Sequence, residues 1–194
     1  MDSSRLEAFS DGFFAVIITI MVLELMPPAG AGWAALRGSM PGVLIYALSF
    51  AYLGIYWSNH HHFYQLVERV DGGVLWANLH LMFWLSLVPF ATAWMGRHAG
   101  AVAPTAMYGA ALFLPALAWW LMRTAVLHAH ARGSHLAAVM RSGWKENLSL
   151  ALYAAGIALS LWRPYAADAL YILVALLWMI PDRRVEHALG KGKA

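Results

Sequence analysis

Few of the 194 residues carry groups able to do chemistry, and those that do are clustered. Arg5, Glu7, Ser10 and Asp11 interrupt an apolar run near the start, with Phe9 directly before the Ser-Asp pair. A second cluster is His60, His61 and His62, and a third is Asn78 with His80. A carboxylate beside imidazoles can relay protons or sense pH, because histidine titrates near neutrality. The same groups can also simply tie helices together in an apolar surrounding. An Asp11 buried alone would be costly or become protonated, so a network of Asp11 and Ser10 with a histidine, Asn78 and Arg5 is expected. A metal centre is not favoured. Adjacent residues on a helix point about 100° apart, so His60, His61 and His62 cannot converge on one ion. His-Glu-x-x-His, Gly-rich phosphate loops and nucleophile elbows are all missing. Cysteine is absent, which removes disulfides, thiolate ligands and thiol nucleophiles. These observations point to no cofactor and no enzyme.

The elements that hold these residues follow from composition. The chain is 61% hydrophobic and 12% charged, against about 45–50% and about 25% in a soluble domain. Its mean hydropathy is +0.59. A chain of this size has too little interior to hide so much apolar surface from water, so its solvent is a lipid bilayer. A net charge of +3 is too small and too scattered for a nucleic-acid surface.

A bilayer core needs roughly 20 apolar helical residues. Six spans are expected, at about residues 8–26, 42–60, 74–95, 105–127, 148–162 and 165–180. Breakers lie at Pro27-Pro28, Pro41-Gly42 and Arg163-Pro164. The last two spans are short, and a re-entrant hairpin is their alternative. Six spans place both termini on one side with Arg5, Arg69, Arg132, Arg141, Lys145, Arg183, Arg184, Lys191 and Lys193, and Arg123 snorkels toward it. The other side has Arg37, Arg97 and Arg163. The bias makes both termini cytoplasmic. Trp57, Trp76, Trp94, Trp144, Trp162 and Trp178 fall near span ends, as an interfacial belt requires. The acidic residues Glu7 and Asp11 and the continuous run to Glu24 argue against a cleaved signal peptide. The fold is an all-α integral membrane protein, residues 1–194 forming one six-span domain. The 128–147 loop is read as a connector, with a short amphipathic helix at about 135–141 as its alternative.

Helical periodicity sorts the first span into two faces. Arg5, Phe9, Gly12, Val16, Thr19, Ile20 and Leu23 share one stripe, almost wholly apolar apart from Thr19. Ser10 and Asp11 point well away from it.

Arg5-x-x-x-Phe9-Ser10-Asp11 at the start of a first span, followed by that stripe, resembles the transmembrane protein 175 family of potassium channels in its bacterial single-repeat form. The likeness continues in Tyr56-Trp57-x-x-His60-His61, Trp76-x-Asn78-Leu79 and Pro89-Phe90-x-Thr92, covering about residues 5–96. The resemblance implies a homotetramer of six-span subunits in a bacterial inner membrane, with first spans around a central pore. It implies K⁺ as the permeant ion and no Thr-Val-Gly-Tyr-Gly filter, and none occurs here. It assigns the pore lining to Val16, Thr19, Ile20 and Leu23. It gives the Phe9-Ser10-Asp11 motif to packing and gating rather than ion contact, and Arg5, His60, His61 and Asn78, read from the residues themselves, complete the expected helix-packing or gating network. His80 and Val16 depart from the family pattern, where an apolar residue and isoleucine are usual.

Four copies of such a stripe make stacked hydrophobic rings, which block ions by dewetting when narrow. Thr19 supplies the stripe's hydroxyl oxygens, and Glu24 flanks it near the outer mouth, where it would concentrate cations. The rival reading is a proton-coupled secondary transporter built on Asp11 and the histidines. Such carriers commonly show internal repeats and broken midplane helices.

Overall fold

The computed structural model describes residues 3–65, 67, 70–129 and 143–180. These form seven helices: α1 Ser3–Leu23, α2 Trp33–Tyr64, α3 Gly72–Leu85, α4 Val88–Arg97, α5 Val102–Ala129, α6 Trp144–Ser160 and α7 Pro164–Met179. Four stretches, Ser4–Leu23, Trp33–Tyr64, Gly72–Arg97 and Val102–Leu127, are long and apolar enough to cross a membrane. With α3 and α4 counted as one stretch, and with the shorter α6 and α7, the described residues make six helical segments. The last two have 17 and 16 residues, about 25 Å each at 1.5 Å per residue. The expected surface helix at 135–141 and most of the basic residues used for orientation lie outside the described residues.

Two prolines behave differently from one another. Pro41 was expected to precede the second span, but α2 starts at Trp33 and runs through it. Only one backbone bond is lost there, and the other turns of a 32-residue helix hold. Pro89 lies in the first turn of α4, next to a break in what was expected to be one continuous span. It cannot donate to the carbonyl four residues earlier. The chain instead closes with Ser86 N on Met82 O at 2.9 Å and Leu87 N on Trp84 O at 3.2 Å, then restarts.

Two cores result. The first joins Leu6, Phe14, Ile17 and Met21 of α1 to Leu53, Phe63 and Tyr64 of α2, Leu81 and Leu85 of α3, and Met122 and Val126 of α5. The second joins Tyr52 of α2 to Ala91 and Met95 of α4, Tyr108 and Leu112 of α5, Tyr153 of α6, and Tyr171 and Val174 of α7. Glycine permits the close approaches. A Cβ at Gly96 of α4 would stand 3.1 Å from Gly42 Cα of α2. A Cβ at Gly156 would stand 2.5 Å from the Tyr171 ring, which α5 also accommodates at Gly109. Small residues at helix crossings are the membrane solution to close packing.

Candidate ion pathway

α1 positions the site, and its two faces differ in burial rather than in polarity. Leu6, Ser10, Phe14, Ile17 and Met21 recur every three or four residues and are all buried. Phe9, Val16, Ile20 and Leu23 are 53%, 55%, 46% and 82% exposed on the single subunit. Gly12 and Thr19 are exposed on the same face. Thr19 Oγ1 bonds back to Val16 O at 2.8 Å and lies 3.1 Å from Ala15 O. Its proton is thereby engaged by the helix, which leaves oxygen lone pairs on the exposed side.

The buried face carries a polar hub. Asn78 of α3, fully buried, donates through Nδ2 to Ser10 Oγ at 3.1 Å, and its Oδ1 accepts from His60 Nε2 of α2 at 2.8 Å. Ser10 Oγ in turn donates to Leu6 O at 2.9 Å. The Tyr64 hydroxyl lies 3.5 Å from the same Asn78 oxygen. Thus Ser10, His60 and Asn78 are brought together from three helices. Asp11 and Arg5 are not part of this hub. Asp11 Oδ1 accepts from Trp57 Nε1 at 2.9 Å at the edge of the bundle, because it stands about 100° around the helix from Ser10. Arg5 is exposed, with no ion pair to Asp11 among the described residues.

Sequence reasoning missed three partners. Glu7 Oε1 accepts from His61 Nδ1 at 2.6 Å, while His61 Nε2 accepts from Gln65 Nε2 at 2.8 Å, a second tie between α1 and α2. Arg97 Nη2 donates to Glu24 Oε2 at 3.2 Å. Glu24 is therefore half-exposed but already paired, and its pull on cations is weaker than a free carboxylate's. Asp168 enters the first turns of α7 with Oδ1 buried and unpartnered among the described residues, as is Thr105 Oγ1. An ionisable residue within a span was the signal that would have found Asp168. His80 accepts from Trp84 Nε1 at 2.8 Å on an exposed face of α3. Among the described residues no group of three or more His, Asp or Glu is placed to hold a metal.

The family model described as endosomal/lysosomal potassium channel TMEM175 matches residues 5–89. A potassium channel of Chryseobacterium sp. strain P1-3 is 49% identical over 97% of this chain and 98% of its own. A potassium channel of Streptomyces collinus is 37% identical over 63% of this chain and 66% of its own. The crystal structure of a lysosomal potassium-selective channel TMEM175 homologue from Chamaesiphon minutus matches with a TM-score of 0.79. That match has 26% identity and covers 92% of this chain and 96% of the other.

Proposed function

The chain belongs to the TMEM175 family of ion channels, a channel family and not an enzyme family, and from that premise we propose that it is a passive, potassium-permeable cation channel. The proposed assembly is a homotetramer, multi-pass in a bacterial inner membrane, with both termini cytoplasmic and four copies of α1 around the pore.

One observation carries this reading. The stripe Phe9, Gly12, Val16, Thr19, Ile20 and Leu23 is the face of α1 that its own subunit leaves uncovered. Placed about an axis, Leu23, Ile20 and Val16 become rings that exclude water when narrow and admit a hydrated ion when slightly wider. Thr19 adds the oxygen between them. Its outward lone pairs can replace part of a cation's hydration shell, which favours a weakly hydrated ion such as K⁺ modestly. The relatives' names support K⁺ as the ion carried. No cofactor enters this mechanism.

The test is ion flux through purified tetramers in liposomes. K⁺ should run down its gradient with no coupled ion, and Na⁺ should follow more slowly. Silent liposomes holding verified tetramers would end the proposal. Saturable flux driven by a pH gradient and lost in Asp11→Asn would favour a carrier instead.

A further inference from the structure

A cavity of about 150 Å³ lies between the last turn of α1 and the facing stretches of α2 and α4. It exists because the residues behind it are small. Gly42 and Gly96 bring the α2 and α4 backbones together at its back, while Ser39 and Ala93 are too short to fill the space. Met21 and Tyr46 give it apolar walls. An enclosed core cavity of about this volume accepts a benzene-sized guest, and this one, open on one side, has room for a small molecule of about that size.

Its rim is a pair of opposite charges. Glu24 and Arg97 both line the cavity and meet through a single contact of 3.2 Å. Their side chains are 47% and 49% exposed, and a pair so exposed contributes little by itself and exchanges partners readily. An anion would take Arg97 and leave Glu24 unmatched, and a cation would do the reverse. A molecule bearing one charge of each sign replaces one exposed ion pair with two and leaves neither group unmatched.

We propose that this cavity binds a small zwitterion of α-amino-acid size, its anionic group on Arg97, its ammonium on Glu24 and its apolar part against Met21 and Tyr46. Free amino acids and the ethanolamine headgroup of a lipid share this chemistry. Glu24 directly follows Leu23, so the occupant would fix the last turn of α1 against α2 and α4. That consequence for conduction rests on the reading that α1 lines the pore; the binding itself does not.

The experiment measures thermal unfolding of the purified full chain with L-alanine, propionate or propylamine as probes, and again in vesicles of phosphatidylcholine with or without phosphatidylethanolamine. L-Alanine should raise Tm by at least about 2 °C when well above its Kd, and the two singly charged probes should not. The shift should vanish in Glu24→Gln and in Arg97→Gln. It should also vanish in Ala93→Leu, which keeps the pair but fills the space. A shift seen only with phosphatidylethanolamine, and lost in the same variants, assigns the site to the lipid headgroup. No shift from either source, equal shifts from propionate or propylamine, or shifts that survive in Ala93→Leu would overturn the proposal. The readout needs no current, so its failure is separate from failure of liposome flux.

Discussion

In the first core, α1 is held through a hub of fixed partners: Asn78 reaches Ser10 and His60 at once, and Glu7 and Asp11 reach His61 and Trp57 of α2. In the second core the corresponding hub is Ser49, which takes a bond from Thr92 Oγ1 at 2.8 Å and lies 2.9 Å from the Tyr108 hydroxyl. There the Tyr52 hydroxyl also donates to Tyr171 O. Both hubs knit helices together, but α1 contributes no buried side chain to the second core among the described residues. Its last turn rests on Met21 and on the surface pair Glu24–Arg97. Freedom in α1 therefore lies in its last turn. Directional bonds register its first half, whereas apolar contact and one exposed ion pair hold the turn bearing Ile20 and Leu23.

Of the two hubs, the first should be the more costly to lose. Asn78→Ala leaves buried His60 Nε2 without its partner, removes the link from Ser10 to α3 and opens a cavity, at a cost of about 2–4 kcal/mol. The expected outcome is a large drop in Tm in detergent together with loss of flux. An unchanged Tm would mean that the hub does not register α1. A smaller loss tests the second core. A Cβ at Gly109 would collide with the Tyr171 hydroxyl and stand 2.8 Å from Ile157 Cγ1, so Gly109→Ala should cost about 1–3 kcal/mol through overpacking. Gly54→Ala is its control, because nothing lies within 4 Å of a Cβ there. It should be neutral or stabilising by up to about 1 kcal/mol. Equal losses in the two variants would remove the Tyr171 contact as the cause. Weaker again is Trp57→Phe, which removes one half-exposed bond to Asp11. About 0.5–1 kcal/mol is expected, with proton-gradient independence of K⁺ flux retained. A flux that became pH-driven or vanished with the fold intact would return Asp11 to the centre of the mechanism.

Much of this was legible in the chain, for identifiable reasons. Four long helical stretches follow from apolar length, the last two short segments from the break at Arg163-Pro164, and the two faces of α1 from a 3.6-residue period that needs no partner to compute. Ser10, His60 and Asn78 were readable as one cluster because all lie at the same end of their spans. What remained hidden depends on helix rotation and axial offset. Asp11 turns to Trp57, Glu7 to His61 and Arg97 to Glu24, pairings fixed only when α1, α2 and α4 are laid side by side. Proline was equally ambiguous. Pro41 sits inside a helix and Pro89 beside a break, and the residue type alone does not separate a tolerated missing bond from a terminated one.

The smallest effect on the fold is expected where the effect on conduction should be plainest. Leu23 is 82% exposed on the subunit, so Leu23→Ala removes little packing within it. A change of no more than about 0.5 kcal/mol is expected, as for substitutions away from buried features. In the proposed tetramer the same change widens a ring of four leucines, and a wider apolar ring wets more easily. K⁺ flux should rise severalfold while Tm stays level. Phe14→Ala is the counterpart on the other face of the same helix. Phe14 is fully buried against the first core, and its truncation should cost about 3–5 kcal/mol. If Leu23→Ala lowered Tm as much as Phe14→Ala, the exposed stripe would be packing surface rather than pore lining. If Leu23→Ala left both Tm and flux unchanged, the constriction would move to Ile20 or Val16.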